Sequence, residues 1–156
     1  MTKTIDFYFA VVSSYAYLAA PRLADVAQRT GASVVFKPVS IGKVFEASET
    51  IPPPKQADVR KAYRAVDQAR VAKAHGMPIN LKPAFWPAPQ ELASGMIIAV
   101  QADGVDPMPL TQAILKAVWA EEKNIADEAT IMDIAVSCGF EGGDLLARAK
   151  TDAVQA

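Results

Sequence analysis

The stretch IDFYFAVVSSYAYLAA, residues 5–20, decides the fold. Its first half is an apolar run rich in aromatic and β-branched residues, the composition of a buried strand. The run breaks at Ser13 and Ser14. Beyond them Tyr15, Leu18, Leu23, Val26 and Ala27 recur at helical spacing. Pro21 is expected to kink that helix or displace its start, and Gly31 to stop it. Residues 33–41, SVVFKPVSI, read as a second strand with Pro38 near its end. Strand, helix and strand make a βαβ unit, so the two strands should run parallel with a right-handed crossover.

The serine pair sits where the strand feeds the helix, and two readings stand side by side. A hydroxyl there caps the helix by accepting from a free backbone N–H, worth roughly 1 kcal/mol. The same place also suits chemistry. A helix N-terminus offers unpaired N–H donors and about half a positive charge, which stabilise an anion. A serine hydroxyl adds one more donor, and a thiolate is an ideal guest because such surroundings lower its pKa. Two serines leave room for one to cap and one to donate.

Further along, the βα alternation stops. Residues 42–54 read as loop, ending in IPPP, and residues 56–75 as an amphipathic helix closed by Gly76. Pro78, Pro83, Pro87 and Pro89 punctuate an irregular crossing. Helices are expected at about 90–102, 109–123 and 128–138, with a last one from Asp144 to the C-terminus. Two parallel strands and about five helices form an incomplete sheet, since parallel strands normally belong to larger sheets covered on both faces. The open edges call for a second chain or for the remainder of the fold.

The bulk chemistry excludes several function classes. The 156 residues are 51 % hydrophobic and 21 % charged, enough for a packed core. With 16 basic and 17 acidic residues the net charge is −1, and no long basic run points to nucleic acid or an anionic membrane. One cysteine, Cys138, allows neither an internal disulfide nor a cysteine-rich metal site, so a reducing compartment is expected. MTKTIDFYF lacks the apolar core and cleavage site of a signal peptide. No apolar run reaches the roughly 18 residues of a membrane span. These features together predict a cytoplasmic protein that binds no metal. His75 reads as a helix-end cation, Asp67 and Arg70 as a surface i,i+3 pair, and Cys138 as a packed thiol at a helix end. Glu121 and Glu122 are sequence neighbours that face different ways on a helix, which argues against a catalytic carboxylate pair. Tyr17, one turn into the first helix, is a candidate substrate contact.

FYFAVVSSYAYLA resembles the opening of the 2-hydroxychromene-2-carboxylate isomerases and kappa-class glutathione transferases, often FYFD…SPYAYLA. FKPVSIGKVFEAS is similar to their second strand and loop, and RKAYRAVDQARVAKAHGMP to their helix carrying Tyr, Asp, Arg and Gly-x-Pro, here Tyr63, Asp67, Arg70 and Gly76-Met77-Pro78. AVWAEEKNIADEATIMDIAVSCGFEGGDLLARA resembles the later part of their helical insertion. The resemblance implies a thioredoxin-like α/β fold interrupted by an all-helical insertion domain: residues 1–45 the N-terminal βαβ part, 46–140 the insertion, and 141–156 the start of the return to the sheet. The family continues with a cis-proline loop, two strands and a helix, so the C-terminal part of the sheet is missing from this chain.

What the resemblance implies about chemistry is equally specific. Superfamily members with disulfide chemistry place Cys-x-x-Cys at the start of the first helix, where this chain has Ser13, Ser14, Tyr15 and Ala16, which excludes that reaction. In the isomerases and kappa transferases a serine at the position of Ser13 hydrogen-bonds the thiol of glutathione. The implied activity is glutathione-dependent cis-trans isomerisation of 2-hydroxychromene-2-carboxylate in the breakdown of aromatic compounds, by reversible thiolate addition. Ser13 would be the catalytic residue. Ser13, Ser14, Arg60 and Lys61 would bind glutathione, Tyr17 would meet a small aromatic substrate, and the protein would be a homodimer. A kappa-like glutathione transferase and a non-catalytic binding or assembly module are the alternatives. The departures are Ala10 for the usual Asp, Ser14 for the usual Pro, Ala88-Pro89 where an Asn usually follows Phe85-Trp86-Pro87, and Glu49 for an Asn that helps to bind glutathione. Arg60 stands where kappa transferases have a glutathione-binding Lys.

Overall fold

The computed structural model describes residues 3–151 and Val154. Strand β1 (Thr4–Phe9) leads through the serine junction into helix α1 (Ser14–Thr30), and Gly31, with φ of 64°, ends that helix in the left-handed conformation. Strand β2 (Ser33–Pro38) returns parallel to β1, with Thr4 opposite Ser33 and Phe9 opposite Pro38. The βαβ unit therefore forms as its hydrophobic pattern requires. Phe7 and Phe9, two residues apart on one face of β1, stack with ring centroids 4.4 Å apart. Phe36 of β2 meets both edge-on, at 6.0 and 6.2 Å, a geometry that adds to the burial of the rings.

Pro21 lies inside α1 and neither ends nor displaces it. Its ring is on the exposed side of the helix, while Ala16, Tyr17, Leu18 and Ala20 are buried, and α1 packs along a later helix. Burial of that face holds the helix through the hydrogen bond that proline cannot make. The stretch read as loop after β2 contains helix α2 (Ile41–Ala47) and a 3₁₀ turn at Pro53–Lys55. At seven residues, α2 is too short for a periodicity argument to find.

All five helices that follow contribute to one apolar cluster with α1 and the sheet. Helix α3 (Asp58–Ala74) does so through Ala72, packs more lightly, against α1, and is followed by the proline-punctuated segment. Then come α4 (Glu91–Ala102), α5 (Met108–Trp119), α6 (Glu128–Ser137) and α7 (Gly142–Ala149). Helix α5 stops at Trp119, short of the expected 123. Helices α4 and α7 cross so closely that a Cβ at Gly95 would lie 2.8 Å from the carbonyl oxygen of Ala149. The architecture is the expected mixed α/β one, a two-stranded parallel sheet carrying a largely helical body.

The outer edge of β2 has no further strand among the described residues. Gln101 of α4 takes that place with its side chain. Its Oε1 accepts from the Phe36 N–H at 2.7 Å, and its Nε2 donates to the Phe36 carbonyl at 3.1 Å. One amide thus satisfies both backbone groups of Phe36, which point away from β1. Replacing Gln101 by Ala strips both partners from Phe36, and each group left unpaired costs about 1–3 kcal/mol. Urea unfolding should show a loss of about 2 kcal/mol or more. A change within ±0.5 kcal/mol, as at an ordinary surface site, would show that Gln101 is not holding this edge.

Candidate functional site

The two serines divide the work at the junction. Ser13 is the N-cap of α1, with extended backbone (φ −86°, ψ 122°) and an Oγ that accepts from the Ala16 N–H at 3.3 Å. Accepting leaves its hydroxyl proton free to donate. The backbone N–H groups of Ser14 and Tyr15, in the first turn, have no acceptor among the described residues, as helix geometry dictates for that turn. Ser14 is fully buried. Its Oγ accepts from Gln68 Nε2 at 2.6 Å and from Arg64 Nη2 at 3.3 Å, which ties the start of α1 to α3.

Ser13 opens onto a cleft of about 430 Å³ whose lining includes Phe9, Tyr15, Phe45, Arg64 and Trp86. Trp86 closes one side and donates its indole N–H to the Val12 carbonyl at 2.9 Å, pinning the proline-punctuated segment to the serine junction. The Arg64 guanidinium carbon lies 4.8 Å from the ring centroid of Tyr15, a cation–π contact. The Tyr15 hydroxyl donates to Asp67 Oδ2 at 2.7 Å. Burial first, and then the hydrogen bond to Asp67, raises its pKa above the ordinary tyrosine value, so it stays protonated and donating at neutral pH. The result is an apolar cleft with a helix N-terminus and a serine hydroxyl at one wall and a guanidinium beside them.

The other residues singled out in the sequence lie elsewhere. Arg60 is exposed in a neighbouring groove with Val59 and Tyr63 that meets the cleft at Tyr15 and Arg64, and Lys61 is bound to Asp58 at 2.7 Å. Neither lines the cleft with Ser13; Arg64, one turn beyond Arg60 on α3, does. The pattern R-x-x-x-R at 60 and 64 was the available signal, since i,i+4 residues share a helix face. Tyr17 is only 5 % exposed, donates its hydroxyl to the Pro78 carbonyl at 2.7 Å and does not line the cleft. Asp67 pairs with Tyr15 rather than with Arg70. Glu49 is exposed at the end of α2. Glu121 binds Lys116 and Lys123 at 2.9 Å each, while Glu122 accepts from Asn80 and from the Ala84 N–H. Among the described residues no three His, Cys, Asp or Glu side chains converge to hold a metal, and no helix is long and apolar enough to cross a membrane. Trp86 could not be placed from sequence, because its contact with Val12 spans 74 residues.

The sequence pattern of the DSBA-like thioredoxin domain matches residues 4–156. The chain belongs to that family. This DSBA-like thioredoxin domain is 35 % identical over 86 residues to 2-hydroxychromene-2-carboxylate isomerase of Sphingobium xenophagum, an alignment covering 54 % of this chain and 44 % of the relative. It is 32 % identical over 76 residues to the protein of that name from Pseudomonas putida, covering 48 % and 37 %. The matched segments therefore span less than half the length of either curated relative. Among solved structures, 2-hydroxychromene-2-carboxylate isomerase superposes with a TM-score of 0.82 at 22 % identity, over 97 % of this chain and 73 % of that one. The cytosolic disulfide reductase DsbM from Pseudomonas aeruginosa with GSH gives 0.70 at 16 %, over 97 % and 74 %. These likenesses establish the fold, and the named relatives match the resemblance read from FYFAVVSSYAYLA.

The division of labour between the serines has a measurable consequence. Removing the Ser14 hydroxyl leaves the buried Gln68 amide without its acceptor and should cost about 2–3 kcal/mol. Removing the Ser13 hydroxyl removes a cap and should cost about 1 kcal/mol. Chemical denaturation of Ser14→Ala and Ser13→Ala should rank them in that order, and the reverse order would contradict the assignment.

Proposed function

We propose that this protein is a glutathione-dependent cis-trans isomerase of the 2-hydroxychromene-2-carboxylate type. The observation that carries the proposal is that Ser13, the N-cap of α1, lines an apolar, aromatic-walled cleft together with Tyr15, whose backbone N–H has no acceptor among the described residues. The names of the two curated relatives supply the reaction class.

The residues present fit a bound thiol. The Ser13 proton is uncommitted, and the N–H groups of Ser14 and Tyr15 lack acceptors. Glutathione, when bound, supplies a thiolate able to add reversibly to a conjugated carbon and so let a double bond rotate. Ser13 donates to the sulfur, and the N-terminus of α1 favours its anionic form. Ser14 holds that N-terminus in place from behind, through Gln68 and Arg64. Arg64 contributes positive potential at the cleft wall, the role the resemblance gives to Arg60 and Lys61, and attracts a carboxylate. Phe9, Phe45 and Trp86 offer apolar surface to an aromatic ring and exclude water from the sulfur.

The test is conversion of 2-hydroxychromene-2-carboxylate to trans-benzylidenepyruvate with and without glutathione, with Ser13→Ala alongside. Turnover should require glutathione without consuming it. Ser13→Ala should lower kcat about 10²-fold, as loss of one donor to a developing anion does. Turnover indifferent to glutathione or to Ser13→Ala would overturn the proposal, and net consumption of glutathione would assign a conjugating transferase instead.

A further inference from the structure

Past Trp86 the cleft adjoins a second recess of about 250 Å³, between α3 and the segment 80–86. The two cavities share Pro53, Arg64 and Trp86. The charged lining of the recess is wholly cationic: Lys61, Arg64 and Lys82 contribute to it and no Asp or Glu does. Lys61 is paired with Asp58, whereas neither Arg64 nor Lys82 forms an ion pair among the described residues. Glu122, which the same segment binds through Asn80 and the Ala84 N–H, does not line the recess.

Its apolar lining is two indoles together with Pro53, Pro54, Ala65 and Leu81. Trp86 and Trp119 lie with ring centroids 5.8 Å apart at an interplanar angle of 52°. Trp119 is 3 % exposed, and its indole N–H is buried without an acceptor. That N–H has no surface open to the recess, so Trp119 offers its ring and not its donor to a guest. Two cations without a carboxylate partner among the described residues, set beside aromatic walls, describe a guest that is at once flat, apolar and negatively charged at one end.

We infer that this recess is a subsite for the carboxylate end of an aromatic 2-oxo acid, held by Arg64 and Lys82 against Trp86 and Trp119. The inference rests on the proposed isomerase reading for the class of acid, and on the recess itself for its charge and shape. A planar carboxylate suits the guanidinium fork better than a tetrahedral phosphate suits a narrow aromatic slot. Arg64, common to both cavities, would orient the acid so that its conjugated chain reaches toward Ser13. Lys82 is then a specificity residue and Arg64 a positioning one.

The chain has two tryptophans, and both line this recess, so intrinsic fluorescence reports its occupancy without any turnover. The experiment titrates the protein with phenylpyruvate and with phenylacetone, which has a methyl group in place of the carboxylate. Phenylpyruvate should change the emission saturably, and phenylacetone should bind at least about tenfold more weakly, the loss expected for a charge-assisted hydrogen bond. Lys82→Met, on an exposed side chain that holds no other contact, should weaken phenylpyruvate about tenfold while its unfolding midpoint stays unchanged. Equal binding of the two probes, indifference to Lys82→Met, or displacement of phenylpyruvate by inorganic phosphate or by glutathione would overturn the subsite. Ser13→Ala should leave this titration unaltered. Loss of the glutathione-dependent turnover with an intact titration would sink the isomerase reading alone, and the opposite result would sink the subsite alone.

Discussion

The hydroxyl of Ser14 takes two hydrogen bonds from α3, one from Gln68 and one from Arg64, and the geometry of the cleft follows from them. A helix N-terminus is useful to an anion only if its free N–H groups stay where the anion sits, because their effect fades within one turn. Burying Ser14 at 0 % exposure fixes the first turn of α1 against a second helix. The same contact holds Arg64 beside the cleft. Trp86 acts from the opposite wall, clamping the Val12 carbonyl just ahead of the cap. The junction between β1 and α1 is therefore held from two sides by the helical part of the chain, and the cleft lies between them.

This arrangement explains what could be read in the sequence and what could not. Strand, helix, strand and the long α3 were legible because each packs a face drawn from its apolar residues: Phe7 and Phe9 on β1, Leu18 and Leu23 on α1, Val71 and Ala72 on α3. Ser13 was legible as a cap, and the resemblance gave it a role. The tie from Ser14 to Gln68 spans 54 residues and left no local trace. Neither did the Gln101 amide that completes the edge of β2 across 65 residues. Arg60 and Arg64 share a face of α3, and only how far along the helix the cleft lies decides which of them reaches it. For Tyr17 the rotation of α1 was the missing fact, since a position one turn into the helix left open whether the ring turned to the site or to Pro78.

Charge placement sharpens the contrast between the cleft and its surroundings. Most ion pairs are exposed and local, such as Arg29 with Asp25 and Lys61 with Asp58, and contribute little to stability. Arg64 differs. It is half-buried, paired with no carboxylate, and engaged with a hydroxyl and an aromatic face. Those contacts orient a guanidinium without neutralising it. A cation kept in this state beside a helix N-terminus adds to the same positive potential, so an anionic guest meets two sources acting in one direction.

The single thiol of the chain limits the chemistry that potential can serve. Cys138 caps the C-terminus of α6 with its sulfur 3.8 Å from the Pro109 carbonyl, and it lines neither the cleft nor the adjoining recess. At the start of α1, where related folds carry cysteines, this chain has hydroxyls, whose oxygens neither form disulfides nor ionise near neutral pH. The first-turn N–H groups of α1 meet no acceptor among the described residues, and such groups favour an anion. Any thiolate working there has to arrive with a ligand. An aromatic-walled cleft with a cation at its wall is what a small thiol and a flat acid would each require of their shared site.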